Sequence, residues 1–240
     1  MARFIFVSDT HGIEIDRKAE KAFFNVLPRI DPKGDAIRIH GGDLWNFAAL
    51  RNGANEDEKR IRLREDFRKG IEFLYAYGPK YLLLGNHDQR LWDAVKRGRI
   101  HKSGWLAEYA EGLIAEFEDV RVDLGIKVLP YDKSKGVLKI DKLRFAHGYG
   151  HGETLTQNMA DAFGDVVFGH GHKIVRDTSM KGGETATGYQ SGALAKKDMD
   201  YVRADLSALR QQHGFAFGDT KEAVVYQVEI RNGKVLLPFL

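Results

Sequence analysis

Three times in the first half of the chain a short apolar run gives way to a polar loop and then to a helical stripe. Residues Ala2 to Val7 are dense in Phe, Ile and Val without strict alternation, the pattern of a strand covered on both faces. The run ends at Ser8-Asp9-Thr10-His11-Gly12. From Asp16 to Leu27 the apolar residues Ala19, Ala22, Phe23, Val26 and Leu27 recur at helical spacing, and Pro28 predicts the end of that helix. Asp35 to Ile39 reads as a second strand ending at Gly41-Gly42-Asp43-Leu44-Trp45-Asn46. Glu56 to Ala76 predicts a second helix with Ile61, Leu63, Phe67, Ile71, Leu74 and Tyr75 on its apolar stripe, stopped by Gly78-Pro79. Lys80 to Leu84 is the third strand, and it ends at Gly85-Asn86-His87-Asp88. Such a rhythm predicts parallel βα units with their polar loops along one sheet edge, where ligands of open α/β sheets gather.

The second half changes character. Helices are expected at Leu91 to Lys96 and Trp105 to Phe117, followed by strand-like runs at Val120 to Pro130, Gly136 to Ile140 and Leu143 to Ala146. A further helix is expected at Glu153 to Phe163. The compact apolar run Asp165 to Phe168 ends at Gly169-His170-Gly171-His172, and strands are expected at Ile174 to Thr178, Thr185 to Ser191, Phe215 to Gly218, Ala223 to Ile230 and Val235 to Phe239. The class is therefore α/β with a mixed or antiparallel half packed on a parallel half. No internal repeat is visible beyond the βα rhythm. A chain of 240 residues suits one domain, residues 1–240.

With 43% hydrophobic and 30% charged residues the chain has enough apolar material for a sizeable core. No apolar run approaches the roughly 18 residues of a membrane span, and the start of the chain does not resemble a signal peptide, so a cytoplasmic protein is expected. The absence of cysteine excludes disulfides and thiolate-bound metal. Any metal must then sit on nitrogen and oxygen. A formal charge of +3 and a pI near 8.9 tilt mildly toward a polyanionic partner such as nucleic acid.

Five of the apolar runs end in clusters rich in Asp, His and Asn: Asp9 with His11, Asp43 with Asn46, Asn86 with His87, then His147, then His170 with His172. One such ending is an ordinary turn, since Gly, Asn and Asp are turn residues. Five are hard to explain that way. Residues two apart in a strand face the same way, so Asp9 and His11 can reach one ion, as can His170 and His172 if that segment stays extended. His40, His101 and His213 stand alone and are read as structural. The donors are imidazole, carboxylate and amide, which suit divalent manganese first, with iron or zinc as alternatives. A carboxylate such as Asp43 can bridge two ions about 4 Å apart, which acidify a bridging water and clamp phosphoryl oxygens.

Asp9-x-His11, Gly42-Asp43-x-x-Asn46, Gly85-Asn86-His87-Asp88, His147-Gly148 and Gly169-His170-Gly171-His172, in that order over residues 5 to 172, resemble the signature of the calcineurin-like metallophosphoesterase superfamily. The resemblance implies a four-layer α/β/β/α sandwich with two divalent ions at the strand ends. It implies one ion held by Asp9, His11, Asp43 and His172 and a second by Asp43, Asn86, His147 and His170. His87 would act as general acid toward the leaving group or stabilise charge there, with Asp88 orienting it. Where many members have a second Asp this chain has Asn46. It also lacks the Arg-Gly that follows in the protein Ser/Thr phosphatase branch, and it has Asp88 where that branch has Glu, which argues against a protein phosphatase.

For substrate, Arg90 is placed to reach a phosphate, because guanidinium geometry suits phosphate oxygens. The segment 89–103, with Arg90, Lys96, Arg97, Arg99 and Lys102 against Asp93 alone, together with Trp92 and Trp105, would allow backbone contacts and base stacking. The tail Gly188 to Leu194, with Tyr201 and His213-Gly214-Phe215, resembles small phage-type members of the superfamily. The expectation is a phosphohydrolase preferring phosphodiesters in nucleic acid or nucleotides. A phosphomonoesterase and a catalytically silent nucleic-acid-binding module are the alternatives.

Overall fold

The computed structural model describes residues 2–54, 57–58, 62–101, 104–181, 183–197 and 210–237. Ile61, Lys102, Tyr201 and Phe239, named above, lie outside the described residues, as do the side chains of Arg99 and His101. Among the described residues the first sheet has seven strands. Four are parallel: β1 (Arg3–Val7), β2 (Ile37–His40), β3 (Tyr81–Leu83) and β4 (Lys127–Leu129). Beyond β1 lie β10 (His213–Asp219), β11 (Val224–Arg231) and β12 (Lys234–Leu236), each antiparallel to its neighbour, giving the order β12-β11-β10-β1-β2-β3-β4. The second sheet runs β5 (Leu138–Ile140), β6 (Leu143–Ala146), β7 (Val166–Phe168), β9 (Glu184–Ser191), β8 (Ile174–Lys181). The sequence pattern foretells both kinds of pairing but not their distribution. The last three strands return to the parallel sheet, because β1 offers them its free edge.

Four layers follow from which faces are apolar. Helices α1 (Arg17–Ile30), α2 (Leu63–Tyr77), α3 (Gln89–His101) and α4 (Gly104–Asp123) cover one face of the first sheet, packing Phe23, Phe67, Leu74 and Phe117 against Ile5, Val7 and Leu82. The opposite face, with Phe4, Phe6 and Leu83, meets Leu143, Phe145 and Val167 of the second sheet. Helix α5 (Leu155–Phe163) closes the far side, packing Leu155 and Met159 on Ala146, Val166 and Phe168. Strand β1 thus places Ile5 and Val7 in one layer and Phe4 and Phe6 in the next. This explains its unbroken apolar run.

Three local expectations change. Helix α1 runs through Pro28 to Ile30, because the Asp31 N–H closes the last turn on the Leu27 carbonyl and Ile30 still packs against the core. Val120 to Asp123 belongs to the end of α4, so only Lys127–Leu129 of that apolar stretch is strand. Tyr75 is exposed, and the buried aromatics of α2 are Phe67, Phe73 and Tyr77.

The helices also fasten the loops that follow β1 and β2. Trp45 is buried between Phe47 and Phe67, and its indole N–H donates to the Phe67 carbonyl at 2.9 Å. Asp66, in the first turn of α2 and fully buried, accepts from the Ile13 N–H at 3.1 Å and the Phe47 N–H at 2.6 Å. One carboxylate therefore ties the loop after β1 to the loop after β2. Asp66→Ala leaves those donors buried and unpaired, a loss of about 3 kcal/mol. In thermal unfolding this is expected as a fall in Tm of roughly 6–12 °C.

Candidate metal centre

The carboxyl ends of β1, β2, β3, β6 and β7 converge, and the loops leaving them are hydrogen-bonded to one another. Asp9 N–H donates to the Gly42 carbonyl at 2.9 Å, His11 N–H to the Asp43 carbonyl at 3.0 Å, and Gly169 N–H to the His147 carbonyl at 2.9 Å. Asp9, His11, Asp43, His87, His147 and His172 are buried there, with Asn86 and His170 half-buried. Three groups of side chains could each hold an ion: Asp9, His11 and His172; His11, Asp43 and His87; Asp43, His147 and His170. Asp43 belongs to two of them.

The convergence does not come from strand alternation. Strand β1 ends at Val7, and Asp9 and His11 both adopt left-handed backbone, φ 55° and 53°. Asp43, His170 and His172 do the same at 50°, 67° and 54°. These conformations are rare for residues with a side chain and are held by surrounding structure. Glycine makes room for the carboxylates: a Cβ on Gly85 would occupy the place of the Asp43 side chain, and one on Gly169 that of Asp9.

His11 Nε2 lies 3.1 Å from His172 Nε2, which is 3.3 Å from Asp9 Oδ1. His147 Nε2 lies 3.4 Å from Asp43 Oδ2 and 3.0 Å from Asn86 Oδ1, and His170 Nδ1 is 3.2 Å from His147 Nε2. Two donors each about 2.1 Å from one ion stand about 3 Å apart when they meet it at a right angle. The spacings therefore fit nitrogen and oxygen donors around divalent ions. Outer contacts choose the donor atoms. His147 Nδ1 donates to the Gly41 carbonyl at 2.9 Å, which turns Nε2 inward; His170 Nε2 donates to the Gly150 carbonyl at 2.9 Å, which leaves Nδ1 for the centre. Among the described residues His11 Nδ1 is buried without a hydrogen-bond partner.

Electrostatics reflect the crowding of like and unlike groups. Burial would raise Asp43, but the charges of His147 and His87 outweigh it and hold the carboxyl well below the usual range. Burial would lower His147, yet the Asp43 carboxylate beside it lifts it to about 9. Burial, joined by the charge of His147, depresses His170 to about 4. His40, fully buried, is pushed to about 3 by burial; it bridges Thr10 Oγ1 and the Gly42 N–H as a neutral structural ring. His213 likewise donates to the Ala195 carbonyl.

The four residues after β3 divide differently from the expected scheme. Asp88 does not orient His87. Its carboxylate accepts from the Trp45 N–H at 3.0 Å and the Gly85 N–H at 2.8 Å, and burial with Asp43 nearby raises it above the usual range. His87 Nδ1 instead donates to Asn46 Oδ1 at 2.9 Å, so Asn46 is the orienting residue that the sequence pattern leaves unassigned. Arg90 donates to the Asn46 carbonyl at 2.8 Å and to His87 Nε2 at 3.2 Å, so its guanidinium addresses His87. A cleft of about 270 Å³ opens on the cluster, lined by His151, Leu155, Lys173, Gln190 and Gln211 beside Asp43, Asn86 and His87. Segment 89–103 contributes none of its described side chains to this lining. Trp92 packs edge-on against Phe117, and Arg97 donates to the Leu50 carbonyl. Lys173, directly after His172, is the visible clue that a cation stands in the cleft.

A family model described as calcineurin-like phosphoesterase matches residues 2–202. Among solved structures the chain is similar to TT1561 of Thermus thermophilus, at 12% identity and a TM-score of 0.42, over 96% of this chain and 99% of that one. No curated protein is matched.

Because His147 near pH 9 is protonated in the metal-free protein, an incoming ion must displace that proton. Calorimetric manganese titrations at pH 7 to 8, compared between buffers of different ionisation enthalpy, are expected to show proton release. Affinity is expected to climb about tenfold per pH unit until it levels near pH 9. Gly85→Ala, which displaces Asp43, is expected to weaken the same binding at least about tenfold.

Proposed function

The chain belongs to the calcineurin-like phosphoesterase family, metal-dependent hydrolases of phosphate esters, and on that premise we propose that it is a dinuclear phosphohydrolase preferring phosphodiesters of nucleic acid or nucleotides. The observation that carries this reading is the position of Asp43, whose Oδ2 is 3.4 Å from His147 Nε2 and 3.7 Å from His11 Nε2. It shares one cluster with His11 and His87 and another with His147 and His170, which supports its serving both expected ligand sets. Two divalent ions held there, manganese by preference with iron or zinc compatible, would supply Lewis acidity and acidify a bound water. The strands after residue 202 join the first sheet through β10, which pairs with β1, and this supports one domain over residues 1–240.

The protein's own residues prepare the leaving-group side. His87 lines the cleft with Nε2 3.9 Å from Asp43 Oδ2. Burial depresses it to about 4 against the opposing pull of Asp43, and the Arg90 guanidinium adds to the fall. A ring so depressed is neutral at physiological pH. With Nδ1–H given to Asn46 and Nε2 accepting from Arg90, the neutral ring offers the cleft neither proton nor charge, so stabilising the leaving group's charge would fall to the Arg90 guanidinium that His87 helps to hold. Asn46 fixes the ring by its Nδ1–H, and Arg90 presents positive charge to Nε2.

Chelator-treated protein is expected to be inactive on bis(p-nitrophenyl) phosphate and to recover with manganese, with Asp43→Ala inactive throughout; no turnover with any divalent metal would sink the reading. His87→Ala is expected to lower kcat about a hundredfold on good and poor leaving groups alike. A loss confined to alkyl leaving groups would restore the proton-donor role.

A further inference from the structure

From the metal centre a track of three adjoining concavities leads along the outer side of the second sheet. The first is the cleft itself, with His151 and His170 on its wall. The second begins one residue away at Gly150 and is lined by Tyr131 and Tyr149, with Lys133 and Ser134 at its rim. The third shares Lys133 and Ser134 and continues past Lys139, Arg144 and Phe163 to Glu184. Half-buried aromatic rings follow the same path. Tyr131 stands edge-on to His147 at 5.8 Å, Tyr149 stacks on Tyr131 at 5.3 Å and 29°, and Phe163 lies 5.8 Å from Tyr149.

Cations outnumber acids along this path, with Lys133, Lys139 and Arg144 against Asp132 and Glu184. Lys139 on β5 is the direct cross-strand partner of Arg144 on β6, an arrangement in which like charges repel. Among the described residues neither they nor Lys133 makes an ion pair. Asp132 is engaged in its own turn, accepting from the N–H groups of Ser134 and Lys135 at 2.8 Å each, and Glu184 stands at the far end. Arg144 precedes His147 by three residues, so its backbone lies about 10 Å from that of His147 along the strand. Cations spaced beside rings that line the concavities match consecutive phosphates and unstacked bases. A duplex keeps its bases stacked and cannot use the rings.

We propose that this track binds a single-stranded segment of nucleic acid, with bases over Tyr149 and Phe163 and phosphates toward Lys133, Lys139 and Arg144, leading the strand to the metal centre. Its destination there rests on the phosphodiesterase reading, but binding along the track does not. It replaces segment 89–103 as the nucleic-acid face.

The test is fluorescence anisotropy of a labelled oligothymidylate of about ten nucleotides on the full chain, with chelator present so that nothing is cleaved. Wild type is expected to bind. Lys139→Gln with Arg144→Gln is expected to weaken binding at least about tenfold near 0.1 M salt and to lower the salt slope by about 1.4, two phosphate contacts' worth. Should the double variant not fold, Lys139→Gln at its exposed position is expected to lower the slope by about 0.7. Tyr149→Leu, which keeps an apolar side chain, is expected to weaken binding about tenfold with the slope unchanged. Absence of binding by wild type, or wild-type binding by a double variant of unchanged thermal midpoint, overturns the proposal. Loss of binding on Lys96→Gln instead would return it to α3 and overturn the track. Hydrolysis of bis(p-nitrophenyl) phosphate without oligonucleotide binding removes the track and spares the phosphoesterase reading; binding without hydrolysis does the reverse.

Discussion

A carboxylate buried among imidazoles is the constraint around which this fold is arranged. Asp43 is 2% exposed, with His11, His87 and His147 all within 4 Å of its Oδ2 and the His87 N–H donating to Oδ1 at 2.8 Å. An ionised carboxyl so far from water is stable only if opposite charge and hydrogen bonds replace its hydration. The neighbours come from three different strand ends, so the charge is satisfied only when β1, β2, β3 and β6 end at the same place. The parallel sheet and the second sheet packed against it meet that condition.

Holding the ligand loops there requires unfavourable backbone. Five of the converging residues sit in the left-handed region, at a cost of about 1 kcal/mol or more each. Their conformation is maintained by buried anchors that never face the cleft. Asp66 receives the N–H groups of Ile13 and Phe47, Asp88 those of Trp45 and Gly85, and Trp45 is wedged between Phe47 and Phe67. Two aspartates that resemble site residues in composition thus act on the backbone.

The cations divide by the same logic. Arg90 and Arg97 are near the centre in sequence but are engaged by Asn46, His87 and the Leu50 carbonyl. Arg90 backs His87 and Arg97 fastens the loop at Leu50, and neither lines the cleft. Lys133, Lys139 and Arg144 lie on another flank, near Tyr149 and Phe163, and make no ion pair among the described residues.

The strand-end clusters were legible in the sequence because each is local: an apolar run followed within a few residues by Asp, His or Asn. Their order and spacing also carried the family, and the both-sides-buried character of β1 was written in its unbroken Phe-Ile-Phe-Val run. What needed the tertiary structure is whatever depends on direction. Whether Asp88 faces His87 or the Trp45 N–H, and whether Arg90 faces solvent or Asn46, is decided by backbone turns between residues adjacent in sequence. The pairing of Lys139 with Arg144, and the stacking of Tyr131 on Tyr149 and of Tyr149 against Phe163, depend on register and layer packing, which join residues that no local pattern connects. The sequence by itself determined which donors meet; the sheets and their buried anchors decided which atom of each points inward and where a substrate can approach.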